Sequence, residues 1–389
     1  MKDFRIGVIG IGDISDVYFN NLKKYDIVNV VSCASRGLEK AQIKAEQHGL
    51  PEYYASGHEL IEKSDVDIIL NLTTPAAHGE YNIAALEAGK HIYTEKPLAA
   101  DFEEARRMTA IAKQKGLVIG SAPDTFLGGR LQTCRSLLDE GRIGRPIAAS
   151  AFVVSRGHEW HHPNPDFFYQ KGGGPLLDIG PYYITALLSL LGPVARVNGM
   201  SSRALDRRTI MFGPRSGEEI SVDVDTHITA NLEFSNGAVG TIITSFDIWD
   251  SELPRIEIYG TEGTICIPDI DPLSGPNLFG GPVWLRTEEN CRWKGQPRPD
   301  PLPAWTEIPI TRRFSETGHE VNSRGIGLVD MAYGIRDSRE PRASGAMAFH
   351  SMETMQGILD SASEHRFVEI KSWFNRPEPL PEDFPESEG

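Results

Sequence analysis

Four stretches of this 389-residue chain hold residues whose types and spacing suit chemistry. The first is Gly10-Ile11-Gly12-Asp13-Ile14-Ser15, between an apolar run at 5–9 and a helical pattern. One glycine permits a tight turn, the next lets the backbone approach a pyrophosphate, and the helix that follows offers its N-terminus to the phosphate charge. The third position of the pattern is Ser15, small but not glycine. The second stretch is Thr94-Glu95-Lys96-Pro97, a charged pair directly after a buried strand. It stands at the carboxyl edge of the sheet, where dinucleotide ligands react. A lysine there suits proton transfer beside a nicotinamide; the plainer alternative is a surface ion pair of Glu95 with Lys96 or Lys90. The third stretch, Ser155-Arg156-Gly157-His158-Glu159-Trp160-His161-His162-Pro163-Asn164-Pro165, combines donors, acceptors and an aromatic platform. The fourth is Gly172-Gly173-Gly174-Pro175-Leu176-Leu177-Asp178-Ile179-Gly180-Pro181-Tyr182.

A site for NAD places an acid about 20 residues beyond the glycine turn, on the adenine ribose. Here the second strand ends Ser32-Cys33-Ala34-Ser35-Arg36, with no acid. Ser35 and Arg36 suit a 2′-phosphate instead, so NADP is the expected cofactor and NAD the alternative. The competing role for Ser35 is a cap on the next helix. His158, His161 and His162 raise a metal reading, but the spacing matches no established ligand set and hydride transfer needs no metal; no metal is expected.

The elements that position these residues follow two textures. Up to residue 120, apolar runs at 5–9, 27–33, 66–72, 91–94 and 117–120 alternate with helical patterns at 41–48, 80–88 and 102–115. Strands apolar on both faces imply a parallel sheet covered on both sides. A helix at 127–140 leads onward. Beyond Pro146, strands are expected at 147–155, 223–234, 238–246, 255–259 and 264–267. Asn236-Gly237 marks a hairpin turn, and one helix stands among the strands at 180–191. This is the α+β pattern of an open, mainly antiparallel sheet with helices on one face. Residues 268–303 hold eight of the 26 prolines and read as an irregular excursion with a hairpin at 283–286 and 291–294. A long helix is expected at 345–365, then a strand at 367–370.

Three of these stretches, Gly10–Ser15, Glu95-Lys96-Pro97 and Gly172–Gly180, with Thr74-Pro75-Ala76-Ala77-His78 and the glycine-flanked segment 141–144, give a resemblance to the Gfo/Idh/MocA oxidoreductases in order from residue 4 to about 370. The resemblance implies a Rossmann-type α/β domain at 1–122 that binds NAD(P), and an α+β domain at 123–376 for substrate and oligomer contacts, followed by an acidic Pro-rich tail at 377–389. It implies cofactor contacts from Gly10, Gly12, Asp13, Ile14, Ser35, Arg36, Thr73, Thr74, Pro75, His78, Glu95 and Lys96, and a Lys96–Pro97 bond that is often cis. It also implies substrate contacts from Arg156, His158, Trp160, His161, Asp178 and Tyr182. Many relatives carry DxGxH with a catalytic histidine; here Tyr182 stands in its place, as in the branch with glucose-fructose oxidoreductase and dimeric dihydrodiol dehydrogenase. Lys96, Asp178 and Tyr182 are then the expected catalytic residues. A phenol with its ordinary pKa of ~10 needs a nearby cation to serve as a base at neutral pH, a charge that Lys96 would supply.

The implied activity is NAD(P)-dependent hydride transfer at a secondary alcohol or ketone of a sugar, cyclitol or glycoside. The alternatives are a glycoside-cleaving enzyme that oxidises the ring transiently, and a non-catalytic sensor. The net charge of −15 speaks against nucleic acid as a partner. No apolar run spans a bilayer, four scattered cysteines suit free thiols, and no secretory signal is evident, so a cytoplasmic protein is expected. An open sheet leaves one face bare, which points to a homodimer or homotetramer. The tail carries Glu378, Glu382, Asp383, Glu386 and Glu388 without a base and reads as solvated or as a partner-covering arm.

Overall fold

The computed structural model describes residues 3–269, 278–292, 300–318 and 321–385. The chain forms two compact units. One comprises Met1–Gly128, Glu316–Met352 and Pro377–Gly389; the other comprises Gly129–Ser315 and Glu353–Arg376.

In the first unit β1 (Phe4–Ile9), α1 (Ser15–Leu22), β2 (Val28–Ala34), α2 (Leu38–His48), β3 (Glu52–Tyr54), α3 (Gly57–Lys63), β4 (Ile68–Asn71), α4 (Pro75–Glu87), β5 (His91–Thr94), α5 (Phe102–Lys115) and β6 (Ile119–Ser121) alternate. The strands pair in the order β3-β2-β1-β4-β5-β6, all parallel. Ile68, Ile69 and Leu70 are fully buried, as a strand with helices on both faces requires. Local signals set the helix ends. Asp101 accepts the N–H groups of Glu103 and Glu104 at the start of α5, and Gly116 ends it in the left-handed conformation at φ 66°, where a side chain is disfavoured. β3 and α3 fall in a stretch where no element was expected.

The second unit holds α6 (Gly129–Asp139), β7 (Pro146–Val154), α7 (Asp166–Tyr169), α8 (Pro175–Asp178), α9 (Gly180–Leu191) and β8 (Val194–Ser202). β9 (Arg207–Thr209) and β10 (Glu219–Ser221) form a separate ribbon. β11 (His227–Phe234), β12 (Val239–Ser245), β13 (Ile256–Gly260), β14 (Gly263–Ile267), β15 (Val283–Thr287) and β16 (Thr306–Ile308) follow. A nine-stranded sheet runs β16-β15-β14-β13-β7-β12-β11-β8 and ends on β17 (Val368–Glu369). β12 pairs β7 in parallel, and its other pairs are antiparallel. Ile228, Ala230 and Leu232 of β11 are buried on one face. The opposite face exposes Met200 and Val239.

Two expectations change. The partners of β15 are β14 and β16. Residues 288–290 make a 3-10 turn, so the chain does not fold straight back on itself; residues 293 and 294 of the expected second arm lie outside the described residues. The chain also does not divide once at 122. α10 (Ile326–Arg336) buries Leu328, Val329 and Met331 within the first unit. α11 (Gly345–Glu364) belongs to the first unit up to 352 and to the second from 353. The tail is not simply solvated: Leu380 and Phe384 are buried, Phe384 meets the Tyr333 ring edge-on at 5.5 Å, and Arg342 donates to the Pro379 carbonyl at 3.0 Å. Two apolar side chains anchor it in spite of the acids between them. Among the described residues, no helix is long and apolar enough to cross a membrane.

Candidate active site

In the first unit the turn after β1 has the form its glycines require. Gly10 has φ 93°, and a Cβ there would lie 2.6–2.7 Å from backbone atoms of Leu72 and Thr73. Only glycine lets β1 and the end of β4 approach this closely. A Cβ on Gly12 would meet nothing within 4 Å, so this backbone is open to a ligand. Ser15 is fully buried and its hydroxyl donates to the Gly12 carbonyl at 2.7 Å, so a small third residue is needed and serine braces the turn. No side chain caps α1 at Ile14 or α4 at Thr74. Uncapped N–H groups at a helix start bind water or an anion, and Thr73 borders the same turn through the Gly10 contact. These features fit a dinucleotide.

β2 ends at Ala34, α2 starts from Gly37 without a side-chain cap, and Ser35 therefore does not cap it. Arg36 is exposed.

The turn after β5 is held from several sides. The Lys96–Pro97 bond is cis. The Glu95 carboxylate accepts from the Tyr18 hydroxyl at 2.8 Å and from the Lys96 backbone N–H at 3.0 Å, and lies 3.6 Å from the Arg324 guanidinium. Burial, with the nearby charges of Glu95 and Asp124, pushes the Tyr18 phenol well up, so it remains a donor. Arg324 is brought in by Asn21, whose amide donates to the carbonyls of Asn322 and Arg324. It is also brought in by Asp124, which accepts from the N–H groups of Gly325 at 2.8 Å and Gly327 at 3.0 Å. Burial pushes the Asp124 carboxyl up to about 6, against these hydrogen bonds and the Arg324 charge. Lys96 is half-buried at the end of this braced turn. Lys90 is engaged elsewhere, with the carbonyls of Ser64 and Val66.

His78 departs from the expected cofactor contact. It has no accessible surface, and its ring nitrogens lie 2.6 Å from the Pro97 carbonyl and 3.0 Å from that of Thr73. It therefore ties the loop after β4 to the turn after β5. Burial lowers its pKa, outweighing the carbonyls. Glu95 is likewise a brace for the turn.

In the second unit the loop after β7 and the start of α8–α9 meet. Asp178 ends α8, and its carboxylate is 3.0 Å from Nε2 of His158. Asp178 and Tyr182 stand on separate helices that part at Ile179: the Tyr182 N–H donates to the Ile179 carbonyl, a tightened turn, and Tyr182 lies in the first turn of α9 with 5% of its surface exposed. Tyr183, by contrast, is a core residue whose hydroxyl accepts from Arg255. The His158 ring stacks on Phe168 at 3.7 Å, edges against Phe246 and places Nδ1 3.2 Å from Nε2 of His161. Partial burial and the neighbouring His158 and His162 lower the pKa of His161. The Arg156 guanidinium lies 4.1 Å from the ring centre of Trp249 and 5.7 Å from that of Trp160. Among the described residues, no His, Cys, Asp and Glu side chains group as a metal site.

Tyr18, Asp124, Arg324 and Trp249 carry no sequence signal of these roles. They lie far along the chain from the groups they serve, inside or beside ordinary helical and strand patterns.

A parallel six-stranded sheet with a glycine-turn phosphate cradle defines a dinucleotide-binding enzyme, here joined to a sheet domain carrying carboxylate, imidazole and phenol groups. The comparisons with known proteins agree. The family described as "Oxidoreductase family, NAD-binding Rossmann fold" matches residues 4–122, and the "GFO/IDH/MocA C-terminal domain" matches residues 131–266. The chain belongs to the Gfo/Idh/MocA oxidoreductase family. It is 30% identical over 373 residues to 1,5-anhydro-D-fructose reductase of Ensifer adhaerens, covering 95% of this chain and 99% of that protein. It is 28% identical to myo-inositol 2-dehydrogenase of Thermotoga maritima over 267 residues, 68% of this chain and 75% of that one. In fold it is similar to a levoglucosan dehydrogenase solved with NADH and L-sorbose, with a TM-score of 0.76 and 22% identity, covering 95% of this chain and 99% of that one.

Proposed function

We propose that this oxidoreductase transfers hydride between NADP and a secondary alcohol or ketone of a sugar, cyclitol or glycoside. The observation that carries the reading is the braced Glu95–Lys96–Pro97 turn at the carboxyl end of β5, where Tyr18, Arg324 and His78 fix the backbone around one half-buried lysine. The names of the relatives, which act on an anhydroketose, an inositol and an anhydrosugar, support the substrate class.

Gly10, Gly12, Asp13 and Ile14 would hold the pyrophosphate, Ser35 and Arg36 the adenosine 2′-phosphate, and Thr73, Thr74, Pro75 and Lys96 the nicotinamide side. The bound nicotinamide supplies the hydride chemistry, and the protein supplies orientation and the proton. Lys96 and Tyr182 share the transfer of the hydroxyl proton, and Asp178 orients the hydroxyl. Arg156, Trp160 and His161 offer a cation, an aromatic face and a hydrogen-bonding ring to a polyhydroxylated substrate. A second copy of the chain covers the open face of the large sheet. Absorbance at 340 nm with a panel of sugars, inositols and glycosides against both cofactors tests the reading. Turnover of a polyol or ketose with NADP(H) is expected; none with either cofactor would refute it.

A further inference from the structure

The loop after β7 is built at a cost that stability does not explain. Arg208, 3% exposed, donates to Glu159, also 3% exposed, at 2.6 Å, and to Asp247. Asp247 in turn accepts from Thr226 at 2.7 Å. Burying such ions costs desolvation that their attraction often only balances. The Tyr169 hydroxyl donates to Glu159 and accepts from the His158 backbone N–H at 3.0 Å. Gly157 has φ 111°, and a Cβ there would lie 2.4–2.6 Å from Glu159, Tyr169 and Arg208 atoms. Each of these contacts fixes the backbone on which His158 stands. Its ring is then held by the Phe168 stack and the edge of Phe246. Held this way, the ring places Nε2 3.0 Å from the Asp178 carboxylate, a group outside the loop. The pair keeps accessible side chains, 17% for His158 and 20% for Asp178. The support thus fixes the geometry of a largely buried pair that a ligand can still reach.

We propose that His158 is a positioning residue for the reaction: it holds the Asp178 carboxylate in the orientation that the substrate hydroxyl requires. This rests on the functional reading above. No histidine follows Asp178 at helical spacing, since Tyr182 stands there, and the fold delivers an imidazole to the same carboxylate from a different loop. His161 faces the other nitrogen of the ring and completes its hydrogen bonding. The role of His158 is thus specified by tertiary structure rather than by a local motif.

The test uses the full-length protein with the substrate found in the 340 nm panel. His158→Ala should lower kcat by about 10²-fold, within the usual worth of a group serving acid–base chemistry. His158→Gln, which keeps an N–H able to reach Asp178, should recover about tenfold of that loss. Imidazole added to His158→Ala should restore part of the rate in a saturable way. Cofactor Kd, read by fluorescence titration, and the midpoint of thermal unfolding should stay near the wild-type values in both variants. A His158→Ala kcat within threefold of wild type overturns the proposal. So does a loss that tracks a fall in the unfolding midpoint and that neither glutamine nor imidazole relieves, which would make His158 a purely structural residue. A wild-type protein without turnover on any substrate overturns the functional reading and this proposal with it; an active wild type with indifferent His158 variants overturns this proposal alone.

Discussion

Replacing Asp124 by asparagine should make the first unit more stable at neutral pH, by a margin that narrows as the pH falls. Asp124 is 1% exposed, and burial raises its carboxyl from the ordinary 3.8 to about 6. The folded protein therefore binds this proton more tightly than the unfolded chain does. The contribution of the group to stability is greatest below pH 3.8 and is lost as pH rises through 6. The two values differ by about 2, and each pK unit corresponds to 1.36 kcal/mol, so the full loss is about 3 kcal/mol. Roughly 2 kcal/mol of it falls between pH 4.5 and 7.5 by the same linkage. Asparagine presents one oxygen to the N–H groups of Gly325 and Gly327 and cannot ionise, so it keeps the anchor without the penalty. Thermal unfolding followed by circular dichroism at pH 4.5, 6 and 7.5 reads the difference between the two proteins. Other carboxylates, such as Asp16 and Asp166, whose pKa values are lowered, then cancel. The variant should gain about 4–8 °C relative to wild type across that range, with little change in kcat. A difference that does not vary with pH, or that favours wild type increasingly toward pH 7.5, would refute the reasoning.

Arg36→Ala should weaken NADP binding by about 10- to 150-fold, the worth of a charge-assisted contact of 1.5–3 kcal/mol, while leaving NAD nearly unchanged; equal losses, or a native preference for NAD in fluorescence titrations, would count against the 2′-phosphate role. Lys96→Met and Tyr182→Phe should each lower kcat by on the order of 10²–10⁴, and the double variant should be little worse than the poorer single one, because the two serve one transfer; additive losses in steady-state kinetics would separate their roles. Light scattering at micromolar concentration should report a dimer or tetramer, and Met200→Asp on the exposed sheet face should shift it toward monomer; a monomeric wild type would contradict the assembly reading.

Much of the first unit was legible because its signals are local. Buried apolar runs such as residues 91–94, a glycine turn after β1 and a lysine after β5 announce themselves within a few residues, and helix α5 is bounded by its own Asp101 and Gly116. β3 and α3, of three and seven residues, are too short for a periodicity to develop. β8 escaped because its inward positions are irregular, Val194 and Val197 alone being buried. β15 pairs with β14 and β16, partners about 20 residues away on either side that lie outside any short hairpin window. The candidate site was legible in its members and not in their partnerships. Lys96 could be named from its place after a buried strand, and Asp178 and His158 from the resemblance to the family. That Glu95 is braced by Tyr18 and Arg324, or that His158 reaches Asp178, depends on tertiary packing that no short window encodes. His78 lies inside a motif and is fully buried, and its ring braces the motif's scaffold through the Pro97 and Thr73 carbonyls.

The return of residues 316–352 to the first unit has a consequence for how the protein is made. When residue 128 leaves the ribosome, Asn21, Glu95 and Asp124 have already been synthesised, but the carbonyls, guanidinium and N–H groups that satisfy them are about 200 residues away. At 5–20 residues per second this is a wait of roughly 10–40 s. During that interval the nascent nucleotide-binding sheet carries a carboxylate prepared for partners that do not yet exist, and the helix that will cover β6 is missing. A gene truncated after 128 would freeze the chain in that state. The dinucleotide module of this protein is therefore not a portable cassette: its borders in space are closed by the last fifth of its own message, and shuffling it onto another substrate domain would have to carry that late segment along.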